Sequence, residues 1–302
     1  MAKPRSPLAK WMTRHIGYPA EAIFVHALSR LFRALPLDQA SALGGWIGRT
    51  VGPYLRGTKI ARRNLTRAFP EKSAEEIEHI INEMWDNLGR TFAEYPHLDE
   101  IGTDGPGGRT EVIGMEHVDA MREDGKAGIV VGGHLANWEV QSVLARKRGM
   151  ELALVYRAPN NPYVGSLLLA MRGGAADLHI PKGAEGARML IRHLSKGGHA
   201  GMLIDQKMND GIPVPFFGRD AMTAPAVAQL ARRLRIPVCP ARAERLEGAR
   251  FRVTILPPID LPESDDRNAD ARVIMEQLNA LLEGWIRERP AQWLWLHRRW
   301  PD

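Results

Sequence analysis

In VGGHLANWEV, residues 131–140, His134 and Glu139 stand either side of a small junction between a short apolar run and a segment of helical period. An imidazole can take a proton near neutral pH, and a carboxylate on its second nitrogen would hold one tautomer and strengthen it as a base. Such a pair would be a general base with its orienting acid. The spacing restricts how the two can meet, because positions five apart on one continuous helix lie roughly 140° apart around its axis. His134 must therefore precede the helix and Glu139 lie in its first turns. Gly132 and Gly133 would release the chain from the strand, and the Ala-Asn-Trp-Glu segment would start the helix. No Gly-x-Ser-x-Gly elbow stands nearby, so the proton would come from a substrate hydroxyl. No HExxH and no second histidine four residues on supports zinc. A histidine before a helix is also commonly a satisfied structural residue, so the pair alone leaves function open.

The elements that must position this pair change character near residue 100. Before it, helices alternate with breaks near Pro36, Gly52–Pro53 and Pro70, and Ser73 with Glu76 makes a capping box for a long amphipathic helix. From residue 110, short apolar runs (TEVI, GIVVGG, ELALVYR, DLHIP, GMLID) alternate with helical segments. That grammar predicts an α/β fold with a mostly parallel sheet flanked by helices. We divide the chain into an N-terminal helical region, 1–100, and an α/β catalytic domain, 101–302. In such sheets ligands bind beyond the carboxyl ends of the strands, where His134 falls. Asp205, closing GMLID, is expected at the same sheet edge.

The 302 residues carry 41 Lys and Arg against 35 Asp and Glu, a net charge of +6. A basic surface favours anionic partners. The lone Cys239, in IPVCP, excludes a disulfide framework and a thiolate metal cluster, and reads as a buried hydrophobe. Residues 20–35 place Phe24, Leu28, Leu31 and Leu35 at helical spacing, interrupted by Glu21, Arg30 and Arg33. This is an amphipathic helix and not a membrane span. It reads as core-facing or as membrane-associating. Trp46 and Tyr54, followed by Lys59, Arg62 and Arg63, add weight to a lipid interface. The first 19 residues have no apolar core of a secretory signal.

Five segments in order carry a resemblance: RRNLTRAFPEKSAEEI (62–77), GGHLANWE (132–139), VYRAPNNP (155–162), DQKMNDGIPVPFFGRDAMTAPAVAQLARRL (205–234) and PAQWLWLHRRW (290–300). Together they resemble the bacterial lipid A late acyltransferases, the lauroyl/myristoyl transferase family, within the His-x4-Asp/Glu glycerolipid-type acyltransferases. The resemblance runs from about residue 60 to the end. Ala158 and Asn160, and Ala136 where glycine is commoner, depart from it. It implies transfer of an acyl chain from acyl carrier protein to a hydroxyl of a lipid A precursor, without a cofactor or metal. It implies an enzyme at the cytoplasmic face of the inner membrane. His134 would be the general base and Glu139 its orienting partner, with Arg157 and Asp205 completing the catalytic set. Asn137, Asn161, Arg172, Phe216, Phe217 and Thr223 would contact substrate, Phe216 and Phe217 as an acyl-chain wall; Thr223 could equally cap the helix that follows. Backbone amides after His134, or Arg157, would meet the oxyanion.

Another membrane glycolipid or a lysophospholipid is the alternative acceptor. FFGRDAMT stands where glycerol-phosphate acyltransferases would resemble FPEGTRS, which disfavours the lysophospholipid. The chain's arginines are dispersed and no helix-turn-helix, zinc-finger or RNP pattern occurs, so nucleic acid is not expected as a partner.

Overall fold

The computed structural model describes residues 6–172 and 178–300. Its front is helical: α1 (Pro7–Met12), α2 (Tyr18–Ala34), α3 (Leu37–Val51), α4 (Arg56–Ala68), α5 (Ala74–Glu94) and the single turn α6 (Leu98–Ile101). The breaks fall where proline and glycine put them. Ser73 caps α5 through the Glu76 amide at 3.2 Å, and the Glu76 carboxylate accepts from the Ser73 amide at 2.8 Å. The apolar face of α5 (Ile77, Ile80, Ile81, Met84, Trp85, Leu88) is buried. Part of that face joins Ile129 and Val131 of the sheet in one continuous core. No helix among the described residues is long and apolar enough to cross a membrane.

Strand and helix then alternate: β1 (Thr110–Ile113), α7 (Met115–Glu123), β2 (Ile129–Gly132), α8 (Glu139–Lys147), β3 (Leu152–Tyr156), α9 (Pro162–Arg172), β4 (Leu178–Pro181), α10 (Ala184–Leu194) and β5 (His199–Leu203). A hairpin of β6 (Lys207–Phe216) and β7 (Arg219–Thr223) follows, then α11 (Ala226–Leu234), β8 (Val238–Arg245), β9 (Phe251–Ile255) and α12 (Arg267–Glu288). The seven-stranded sheet has the order β1-β9-β8-β2-β5-β3-β4. All neighbours are parallel except β8 and β9. The mostly parallel α/β architecture is thus present, with one reversal that the apolar runs did not signal. Cys239 lies buried on β8, and burial pushes its thiol up to about 12.

The register matters most at the centre. β2 pairs with β5, setting Gly132 opposite Leu203, so the residues just beyond both strands emerge side by side. The C-terminal WLWLH segment closes over them: Leu294 N–H donates to the His134 carbonyl, and Ala136 N–H to the Gln292 carbonyl. Asn64 of α4 clasps that segment in turn, its amide donating to the carbonyls of Trp295 and His297.

Candidate active site

The junction after β2 differs from the expected one. Ala136 adopts a left-handed conformation, φ 49°, and α8 begins only at Glu139. Left-handed backbone is costly for a residue with a Cβ, and here buried bonds hold it. Thr91 Oγ1 donates to the Ala136 carbonyl at 3.1 Å and Asn87 Nδ2 adds a longer contact. Asn137, fully buried, donates to Glu94, and Glu94 also receives the guanidinium of Arg245. Asn137 is therefore a strut of the loop and does not line the polar cavity that His134 faces.

This bent loop turns His134 toward Asp205. Nδ1 of His134 lies 2.7 Å from Asp205 Oδ1, and the His134 backbone N–H donates to Oδ2 at 2.7 Å. Trp293 Nε1–H donates to the same Oδ2 at 2.7 Å. A carboxylate can only accept, so Nδ1 carries the hydrogen and Nε2 keeps its lone pair. Consistent with that, the Gln206 amide donates to His134 Nε2 at 3.3 Å. Burial opposes ionisation of Asp205, but the His134 ring and the bonds it receives hold the carboxyl below the usual carboxylate range. Asp205 is thus the group that orients His134.

The expected contact between Glu139 and His134 is not made. Entering α8 at Glu139 turns its carboxylate toward α5 and α9. There it accepts from Tyr95 Oη at 2.9 Å, from Trp138 Nε1 at 3.0 Å and from the Arg172 guanidinium. Burial and the Glu139 charge push the Tyr95 phenol well above its ordinary value, so it stays a neutral donor. The Trp138 ring that donates to Glu139 packs edge-on against His134, 5.1 Å between centroids.

His134, Glu139, Arg157, Arg172, Lys182 and Gln206 line one cavity of about 210 Å³, with apolar walls from Val130, Leu152, Leu154 and Leu203. Arg157 is exposed at its rim. The structure does not bring the remaining expected residues to it. Asn161 is buried and ties the start of α9 to the Tyr18 carbonyl and Glu21 of α2. Phe216 and Phe217 are 1% and 5% exposed and pack with Trp293, Trp295 and Trp300. They belong to the core and line neither the polar cavity nor the apolar cavity between α2, α3, α5 and α9. Thr223 is buried under Arg299, which donates to its hydroxyl at 2.9 Å, and α11 takes no side-chain cap from it.

Residues not anticipated complete the site: Trp293 on Asp205, Gln206 on His134, and Tyr95 on Glu139. The dipeptide Asp205-Gln206 and the tryptophans of WLWLH were the signals available. His297 presents its ring edge-on to His134, 5.6 Å between centroids. Its Nε2 is buried without a hydrogen-bond partner, and burial pushes the imidazole down to about 4. Ligand atoms of His134, Asp205 and His297 lie within 4.8 Å of one another. Three N–H donors already occupy the Asp205 carboxylate, two from His134 and one from Trp293.

A second, larger cavity of about 410 Å³ lies between α2, α3, α5 and α9. Its lining is almost wholly apolar, including Leu28, Phe32, Trp85, Phe92, Leu168 and Met171. Tyr95 forms part of its wall, and the Tyr95 hydroxyl reaches Glu139 in the polar cavity.

A hydrogen-bonded His–Asp pair at a polar cavity thus lies near an apolar cavity, and comparison with known proteins gives the family. The sequence model of the bacterial lipid A biosynthesis acyltransferases matches residues 8–302. The chain belongs to that family. It is an acyltransferase, and the lipid A acyltransferase relatives span most of it. One from Haemophilus influenzae, a lipid A biosynthesis acyltransferase, is 25% identical over 88% of this chain and 83% of its own. The lipid A biosynthesis lauroyltransferase of Escherichia coli is 29% identical over 88% and 86%. The myristoyltransferase of the same organism is 28% identical over 83% and 77%. Among solved structures, the 1-acyl-sn-glycerophosphate acyltransferase of Thermotoga maritima aligns over 85% of this acyltransferase at 15% identity, with a TM-score of 0.39.

Proposed function

We propose that this acyltransferase moves an acyl chain from the thioester of acyl carrier protein to a hydroxyl of a lipid A precursor, with His134 as general base. The observation that carries the mechanism is the His134–Asp205 bond. With Nδ1–H fixed on the carboxylate, Nε2 is left as the acceptor facing the cavity, held by a long bond from Gln206 that a substrate hydroxyl can replace. The acceptor O–H proton passes to Nε2 while its oxygen forms a bond to the thioester carbon. Collapse of the tetrahedral intermediate breaks the C–S bond, and the thiolate takes the proton from the imidazolium. Asp205 stabilises that imidazolium without itself being protonated.

The apolar cavity behind Tyr95 would take the acyl chain, and Arg157 and Lys182 at the mouth of the polar one would meet anionic groups of donor or acceptor. The exposed apolar residues of the helical front would rest on the cytoplasmic face of the inner membrane, where both substrates are reached. His134→Ala should remove at least about 10³-fold of the transfer rate, the range of a lost general base with its nucleophile activation. The protein should stay folded, because the buried Asp205 carboxylate keeps two donors, the backbone N–H of residue 134 and the Trp293 indole. Transfer at the native rate by the folded variant would remove His134 from the chemistry. Mass spectrometry of lipid A from cells with and without the protein would identify acceptor and chain length. A lipid A of unchanged mass would count against this acceptor.

A further inference from the structure

Attack on a thioester puts negative charge on the carbonyl oxygen, and a donor must be aimed at it. The amides around His134 are largely engaged. Those of Leu135, Ala136 and Val140 donate to the carbonyls of Gly133, Gln292 and Asn137, and that of Glu139 to Asn137 Oδ1. Arg157 is exposed at the rim. Arg172 differs from it in burial and in being anchored. It lines the same cavity as His134, its side chain is 19% exposed, and one corner of its fork is fixed by Tyr95 Oη at 3.2 Å and by Glu139. Its Nε is buried with no partner. A guanidinium has five N–H donors in a rigid plane, so anchoring one nitrogen sets the direction of the rest.

We propose that Glu139 serves the reaction through Arg172 and not through His134: with Tyr95 it holds the guanidinium as the donor to the oxygen that becomes negative when the thioester carbonyl is attacked. The inference rests on the acyl-transfer reading above. Glu139 and Tyr95 are then positioning residues, and Arg172 the catalytic one. As the C–O bond forms, the carbonyl π pair moves to oxygen and is met by Arg172 N–H. It returns to carbon as the C–S bond breaks, so Arg172 neither gains nor loses a proton. A second consequence follows from the geometry. The two acids have separate tasks, Asp205 on the base and Glu139 on the oxyanion donor.

The test uses the full chain with an acyl-carrier-protein thioester and a lipid A precursor. Rates of wild type, Glu139→Gln, Arg172→Gln, the double variant, Tyr95→Phe and Asp205→Asn are measured against pH, per folded molecule by circular dichroism. Glu139→Gln and Arg172→Gln should each lower kcat about 10²- to 10³-fold with KM little changed, as for loss of one oxyanion donor. The double variant should be no worse than the poorer single, since the residues act as a unit. The acid limb of kcat/KM should stay in place in Glu139→Gln and move in Asp205→Asn. Tyr95→Phe keeps both charges and the ring, and should show a smaller loss, again in kcat.

Additive losses, or an acid limb that moves in Glu139→Gln as it does in Asp205→Asn, would overturn the assignment. A rise in KM at constant kcat would also overturn it, placing Arg172 on a substrate phosphate held equally in ground and transition states. A wild-type chain that transfers no acyl group would sink the functional reading and this one together. An active wild type with an additive double variant would sink this one alone.

Discussion

At the scale of single residues, the site is a set of buried charges whose partners are hydrogen bonds more than opposite charges alone. His297 shows what this means for pH. Its ring is enclosed beside Asp205 and His134, and burial holds it at about 4 against an ordinary 6.5. The unfolded chain therefore binds a proton more tightly than the native one between those values, and stability falls as pH drops through that window. Above about 6.5 the cost is absent; near 4 it reaches on the order of 3 kcal/mol at most, from about 1.4 kcal/mol per unit. Asp205 acts at lower pH with a shift in the same direction but of opposite origin: the native site favours its charged form, so its depressed carboxyl stabilises the fold above its ordinary range, and that contribution is lost as the group is protonated. Urea titrations from pH 7.5 to 4.5 should thus show a falling midpoint in wild type and a flatter course in His297→Gln. Parallel courses would mean that His297 is as solvated in the native state as in the unfolded one. How little of this pairing was legible follows from chain separation. His134 and Asp205 are 71 residues apart, and only the adjacency of two non-consecutive strands joins them. A local motif offers Glu139 as the nearest acid, and nothing within VGGHLANWEV reveals that Ala136 bends the chain away from it.

At the scale of elements, the alternation of apolar runs with helical segments was readable because burial on both sheet faces and amphipathic helix packing leave different periods in the sequence. Every strand on which the site depends was visible in that way. The reversal at β9 was not, since an apolar run has no direction until its neighbours are known. FFG likewise cannot tell a cavity wall from core, because both demand apolar bulk. Glycines of the helical front were less readable still, yet they set how closely α3 and α5 approach, and hence the wall of the apolar cavity. A Cβ built on Gly48 would stand 2.0 Å from the Trp85 carbonyl oxygen, an atom of backbone that cannot step aside. Gly48→Ala should therefore cost about 1–3 kcal/mol, the range for overpacking. Gly284 of α12 is also helical, but exposed, and a Cβ there meets nothing within 4 Å. Gly284→Ala should stabilise by about 1 kcal/mol through helix propensity alone. Thermal melting of the two variants checks the pair, and a Gly48→Ala protein as stable as wild type would show that the helices have room to part.

At the scale of the molecule, apolar side chains are unevenly exposed. Trp11, Ile16, Ile23, Phe24, Leu31, Trp46, Tyr54 and Leu55 are all between 46% and 88% exposed, and all belong to the helical front before residue 56. The same stretch carries exposed Arg14 and Arg30, with Arg33 and Arg49 paired to Glu100 and Asp86. Rings and aliphatic chains beside cations match an anionic lipid surface, and no described helix is suited to cross it. The apolar cavity is bounded by α2 and α3 from this same front, so adsorption would set its opening against the bilayer from which a lipid acceptor must come. Wild type should therefore sediment with vesicles containing anionic phospholipid, less so at high salt because the arginine contribution is screened. Ile23→Ser combined with Phe24→Ser removes two exposed apolar groups of α2 without touching its packing. Each is worth up to about 1.5–3 kcal/mol when fully buried, so partial immersion of both makes a loss of at least about tenfold in vesicle affinity the expected result. Turnover on a soluble short-chain thioester should be unaffected, because neither residue lines the polar cavity. Equal sedimentation of variant and wild type would move the membrane contact off α2, and loss of both properties together would mean that the exposed face is holding the fold and not the lipid.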